Sequence, residues 1–226
     1  MRISTRSLPI RAVTLIECLV VLAVLCLLCV VLLSPYSGRR ASGSRISCVN
    51  NLKNVGLSFQ LFANDNGDLS FRVPESGGGT ARYAEQPAEL WRHFAAHSYQ
   101  LSTPKDVACP RDTRRSLINT WECVATNDRN GAISYTLGLE ASINQPDSIL
   151  SSDRNLSLDE LPVGLSVLRL GANSSAGFYT NIHNRAGNLL LGDGSVQQVT
   201  SRGLREEIAQ AVRNQTNTGT IRIVIP

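Results

Sequence analysis

From Val13 to Leu33 the chain reads VTLIECLVVLAVLCLLCVVLL, 21 residues with a single charge, Glu17. Nothing else in the sequence constrains the fold as tightly. About 20 apolar residues in a helix, at 1.5 Å each, match a hydrocarbon core of roughly 30 Å. No later window is comparable, so the run predicts one membrane-crossing helix over 13–33. A cleaved secretory signal is the competing reading. It requires a shorter apolar core followed by a small-x-small site, whereas Ser34-Pro35-Tyr36-Ser37-Gly38 follows here. Arg2, Arg6 and Arg11 flank one end and Arg39, Arg40 and Arg45 the other, so the basic residues balance across the run. A short N-terminal tail is easily left behind, which favours a cytoplasmic N-terminus.

Glu17 is out of place in such a segment. A carboxylate at the centre of a spanning helix costs about 2.5–3.5 kcal/mol on insertion scales. Glu17 lies close to the start of the run, where snorkelling reduces that cost. It is either a tolerated interfacial acid or a charge awaiting a positive partner.

Arg11-Ala12-Val13-Thr14-Leu15-Ile16-Glu17 followed by an apolar run resembles the leader of type IV prepilins and type II secretion pseudopilins. The resemblance implies a prepilin peptidase that cuts between Ala12 and Val13 and N-methylates Val13. In that family a small residue, usually Gly, precedes the cut and Phe usually follows it, so Ala12 and Val13 depart from the commonest pattern. Glu17 becomes the fifth residue of the mature chain and is implied to pair with the terminal amine of a neighbouring subunit. Two charges leaving water need each other, so such a pair acts mainly on register.

Beyond the run, Pro35 and Gly38 predict a bend, and Ser42 or Ser44 can cap a second helical stretch. Ile46, Val49, Leu52, Val55, Phe59 and Phe62 follow steps of three and four, an amphipathic stripe ending near Asn64. The organisation expected is a leader over 1–12, a transmembrane helix over 13–33, its amphipathic continuation over 34–64 and a globular head over 65–226. If collinear, the two helical pieces form one long N-terminal helix of pilin type. In the head, a short helix is expected over Glu85–His97, with Leu90, Trp91 and Phe94 buried. Strands are expected over Ala132–Leu139, Ser148–Ser151 and Thr220–Ile225, and a helix over Leu204–Arg213. A hairpin is expected around Asp193-Gly194. The fold class is α+β, a long helix laid on a small, mainly antiparallel sheet.

A second resemblance covers the head. Asn50-Asn51-Leu52-Lys53 resembles a stretch of an abundant prepilin-like group whose members carry His, nine residues, then Asp-Gly near the C-terminus. Here His183 is followed by nine residues and Asp193-Gly194. Cys109-Pro110, Ile133-Ser134-Tyr135 and Asp153-Arg154-Asn155 are similar to that group as well. The group resemblance includes Cys48 and Cys109 and so implies a disulfide between them; Cys109–Cys123 is the other pairing considered. Cys18, Cys26 and Cys29 lie in the apolar run and are expected to act as small apolar residues.

His183 and Asp193 suggest a catalytic or metal pair. The plainer reading is structural, with Asp193 opening a tight Asp-Gly turn. His93 and His97 stand four apart but lack the glutamate of a His-Glu-x-x-His site. Asp65-Asn66-Gly67-Asp68 and Asp128-Arg129-Asn130-Gly131 are oxygen-rich turns that could hold calcium, although neither matches an EF-hand loop. No metal ligand set and no catalytic residue is assigned. There is no Gly-x-Ser-x-Gly elbow and no phosphate loop. Setting aside Arg2, Arg6 and Arg11, 19 basic residues face 18 acidic ones, too even a balance for a nucleic-acid partner.

The expectation is a pilin-like structural subunit of a type II secretion pseudopilus or type IV pilus, not an enzyme. It would be held singly in a bacterial inner membrane with its head periplasmic or extracellular. Its implied partners are the prepilin peptidase, other pilin or pseudopilin subunits, the assembly platform and membrane lipid. The rivals are a tethered extracytoplasmic binding module that never polymerises, and a membrane-anchored hydrolase.

Overall fold

The computed structural model describes residues 14–32, 37–116, 118–214 and 219–226 and divides the chain into two units, 1–41 and 42–226. Helix α1 (Leu15–Leu32) lies in the first. Thr14 precedes it, and the two ends of the sequence Thr14-Leu15-Ile16-Glu17 cap each other. The Thr14 backbone N–H donates to Glu17 Oε2 at 2.8 Å, and the Glu17 N–H points back to Thr14 Oγ1 at 3.4 Å. This is a capping box, which satisfies donors that the first turn of a helix leaves unpaired. Residues 14–30 are all exposed.

Two expectations are corrected here. At 18 residues α1 is about 27 Å long, and no described helix is long and apolar enough to cross a membrane. The single-pass transmembrane helix over 13–33 is therefore not supported. Neither is the placement in a bacterial inner membrane that depended on it. Among the described residues there is also no long N-terminal pilin-type helix: α1 and α2 (Ser37–Asn66) are separate elements. The physical reasons lie at the two ends of α1. Thr14 caps its start, and at its other end the apolar helix closes at Leu32 while the polar stretch SGRRASGSR opens α2. Ala12, Val13 and Pro35 lie outside the described residues. Gly38 falls within α2, which begins earlier than Ser42 or Ser44.

In the second unit α2 carries the core. Cys48, Leu52, Val55 and Phe59 are fully buried and Phe62 nearly so. The buried stripe steps from Cys48 rather than from Ile46 and Val49; Ile46 is 61% exposed. Gly67 ends the helix in the left-handed region, with φ of 83° and its N–H donating to the Ala63 carbonyl at 2.8 Å. The helix expected over Glu85–His97 shrinks to α3 (Trp91–Ala95), because Pro87 opens a tighter turn just before it. Leu90, Trp91 and Phe94 are buried as expected. A single further turn, α4 (Trp121–Cys123), follows.

The strands, in chain order, are β1 (Leu137–Gly138), β2 (Ile149–Ser152), β3 (Leu156–Leu158), β4 (Leu161–Pro162), β5 (Ser166–Gly171), β6 (Ala176–Phe178), β7 (Ala186–Leu191), β8 (Val196–Thr200) and β9 (Thr220–Ile225). Among the described residues they make three small antiparallel sheets, ordered β1–β9–β5, β2–β7–β8 and β4–β3–β6. The architecture is α+β with small antiparallel sheets. The strand expected over Ala132–Leu139 is reduced to β1, with Tyr135 forming an isolated bridge to Asp153. Helix α5 (Ser201–Asn214) buries Leu204, Ile208, Ala211 and Val212 in a core shared with β5, β7 and β9. The core around α2 gathers Leu90, Phe94, Tyr135, Leu137 and Leu190.

Candidate functional site

The paired residues His183 and Asp193 do not meet. They lie beyond opposite ends of β7, and six residues of strand span about 20 Å. At the far end Asp193 Oδ1 accepts from the Ser195 N–H at 2.8 Å, and the Gly194 N–H donates to the Leu191 carbonyl at 3.0 Å. Gly194 has φ of 82°, and a Cβ there would come within 2.7 Å of Gln60 Nε2 on α2. Asp193 and Gly194 therefore turn the β7–β8 hairpin and seat it against α2.

His183 joins a different set of residues. Its Nε2 stands 3.5 Å from Cys109 Sγ, 3.4 Å from Asp153 Oδ2 and 3.3 Å from Asn188 Nδ2. Cys48 and Cys109 are joined by a disulfide that ties α2 to the segment before Pro110. Asp153 follows β2. Its Oδ2 accepts from the Asn188 N–H at 2.6 Å and from Asn188 Nδ2 at 3.0 Å, while its own N–H donates to the Asn188 carbonyl at 3.0 Å. The Asn188 side-chain amide thus stands between Asp153 and His183, within reach of both. Tyr135 closes the cluster, its hydroxyl donating to the Cys48 carbonyl at 3.3 Å.

Burial sets the electrostatics. It pushes the Asp153 carboxyl up to about 7, against the hydrogen bonds from Asn188 that favour the charged form. It also pulls His183 down to about 4, helped by the positive charges of Arg45 and Arg111, so the imidazole is neutral near pH 7. Asp153 Oδ1 and His183 Nδ1 are buried without a hydrogen-bond partner. A cavity of about 240 Å³ borders the cluster, lined by Arg45, His183, Asn188 and Gln198 among others.

A second ring of polar contacts holds this region together. Arg154 grips buried Asp112 with two contacts, Nε to Oδ2 at 2.6 Å and Nη2 to Oδ1 at 2.9 Å. Ser134 Oγ donates to Asp112 Oδ2 at 2.9 Å. Asn155 Nδ2 donates to the Tyr179 carbonyl at 2.8 Å. Asn51 Nδ2 on α2 donates to the Ala108 carbonyl at 2.9 Å, beside Cys109. Asn51, Cys109, Ser134, Tyr135 and Asp153-Arg154-Asn155, scattered in sequence, thus meet in one region of the head. The residues missed in sequence are Asp112 and Asn188. Neither carries a spacing that marks it, because only β-strand register brings Asn188 to Asp153.

The other candidates have local partners. Glu17 is fully exposed, and hydrogen bonds from Thr14 hold its carboxyl below the usual range. His93 and His97 are buried but apart in role, His93 Nδ1 meeting Thr80 Oγ1 at 2.6 Å and His97 Nε2 meeting Ser70 Oγ at 2.8 Å. In the oxygen-rich turns, Asp68 caps the Leu69 N–H, and Asn130 Oδ1 accepts from the Trp91 N–H at 2.9 Å. Among the described residues, the group whose ligand atoms come together as a metal site requires is Cys48, Cys109 and His183. No family model, curated protein or solved structure matches the chain.

Proposed function

We propose that this chain is a pilin-like structural subunit of a type II secretion pseudopilus or type IV pilus, cut from its leader by a prepilin-type peptidase and assembled with further copies through α1. The observation that carries the reading is the state of α1. Its sequence is apolar around the whole circumference, yet Leu15, Ile16, Leu19, Leu22, Leu25 and Leu28 are each at least half exposed. A helix that is apolar all round is stable only when covered. The cover proposed is the same helix of neighbouring subunits. The first-turn position of Glu17 supports this, because cleavage after Ala12 would make it the fifth residue of the mature chain.

On this reading the second unit is a folded head carried by the assembly, and its partners are the peptidase, sibling subunits and the assembly platform. The reading is of a scaffold rather than a catalyst. The separation of His183 from Asp193 supports that choice, since the most enzyme-like pair in the sequence is split across a strand.

Mass spectrometry of the mature N-terminus tests it. A chain that begins at N-methylated Val13 is expected in cells with an active prepilin peptidase. A chain that retains Met1 to Ala12 in those cells contradicts it.

A further inference from the structure

Cys48, Cys109 and His183 meet in the core of the head, and nothing in the pilin-like reading uses them. Their ligand atoms lie within 4.8 Å of one another, and all three residues are buried. Tetrahedral zinc with Zn–S near 2.3 Å and Zn–N near 2.0–2.1 Å sets a sulfur-to-nitrogen edge of about 3.6 Å. The observed distance from Cys109 Sγ to His183 Nε2 is 3.5 Å. Asn188 holds the neighbouring Asp153 Oδ2 by two hydrogen bonds. Asp153 Oδ1 is fully buried and has no partner, a polar atom left without the neighbour that buried groups normally have. A cavity lined by His183 and Asn188 reaches the imidazole side of the cluster.

We propose that, once a dithiol reductant opens the Cys48–Cys109 bond, Cys48 Sγ, Cys109 Sγ and His183 Nε2 bind one Zn²⁺. Reduction moves two electrons and two protons from the dithiol to the bonded sulfurs, and the reductant leaves as its own disulfide. Zinc then displaces the two thiol protons to solvent as two Zn–S bonds form. The disulfide and the metal are alternative crosslinks between the same two elements, α2 and the segment around Cys109. The head keeps its tie between them in both redox states. The neutral imidazole and the soft thiolates select a thiophilic cation over calcium or magnesium.

The test uses the full chain with Cys18, Cys26, Cys29 and Cys123 replaced by Ser, reduced with a phosphine under anaerobic conditions and titrated with Co²⁺. The expected result is a thiolate-to-cobalt charge-transfer band that saturates at one Co²⁺ per chain and is displaced by Zn²⁺. The band should be absent from the oxidised protein and lost in Cys109→Ser and His183→Ala made in the same background. Circular dichroism covers the case in which reduction alone unfolds the head. Co²⁺ must then restore the folded spectrum, as metal binding coupled to folding requires. No band in a folded reduced chain, no recovery in an unfolded one, or an undiminished band in Cys109→Ser overturns the proposal.

Discussion

The carboxylate of Glu17 accepts hydrogen bonds from both the backbone N–H and the hydroxyl of Thr14, at 2.8 and 3.0 Å. The acid that stands alone in the apolar run therefore has a local structural partner as well as the intermolecular one proposed for it. Two substitutions separate the roles. Gln preserves the reciprocal contacts of a capping box and removes the charge, whereas Ala removes both. If pairing with a neighbour's amine drives register, Glu17→Gln should reduce filament yield as severely as Glu17→Ala. Normal assembly by Glu17→Gln, scored by sedimentation of polymer, would show that the cap alone matters.

The Cys48–Cys109 disulfide closes a loop with a sequence separation of 61. Loop-closure entropy for that length amounts to about 4 kcal/mol of denatured-state destabilisation. The double variant Cys48→Ala, Cys109→Ala should therefore lose several kcal/mol in urea unfolding, and its head should open at markedly lower denaturant. A midpoint equal to that of the oxidised wild type contradicts the assignment of this bond as the principal tie between α2 and the head.

Asp112 is 3% exposed and anchored by Arg154 and Ser134. Removing one partner of a buried pair leaves the other charge uncompensated, typically at a cost of 3–5 kcal/mol. Asp112→Ala should fall in that range by chemical denaturation. The double replacement Asp112→Ala, Arg154→Met should recover part of the loss, because it removes the stranded guanidinium.

Much of this architecture can be read from local pattern, and the rest depends on contacts distant in sequence. The β7–β8 hairpin is legible because Asp-Gly chemistry fixes its turn, and α5 because Leu204, Ile208 and Val212 repeat at four. The stripe on α2 is legible from Leu52 through Val55, Phe59 and Phe62, and fails only at its start, where Cys48 is buried and Ile46 is exposed. Strands β3 to β6 carry no clear alternation; β5 is defined by pairing along the whole length of β9, and β3 by β6. The apolar run suggested a membrane span, whereas no described helix is long and apolar enough to cross a membrane. At the site, the eye-catching His183 and Asp193 are separated by a strand. The real neighbours, Asp153 and Asn188, are set by register that no single segment encodes.

Burial holds His93 near a pKa of about 4 and His97 near about 3, against 6.5 for the free side chain. Both are neutral in the folded head, and the unfolded chain takes up their protons first. Their contribution to stability is complete above pH 6.5 and falls as the pH drops from there towards 4 and 3. For His97 the loss between pH 6.5 and 4 is about 3 kcal/mol. Asp153, raised to about 7, acts in the opposite sense over part of that window, so the check is a difference. His97→Gln should flatten the acid limb of stability against pH relative to wild type. Parallel limbs would contradict the assignment.

Cys18, Cys26 and Cys29 are exposed free thiols on α1, and at 100° per residue they fall within an arc of about 80° on one side of the helix. They report directly on whether α1 packs against its own copies. In the full chain carrying Cys123→Ser, mild oxidation of the native assembly should give a ladder of disulfide-linked multimers. That ladder should disappear when the three α1 cysteines are replaced by Ser and should fade in Glu17→Ala. A chain that stays monomeric under the same oxidation, at the concentration where assembly is scored, contradicts the account.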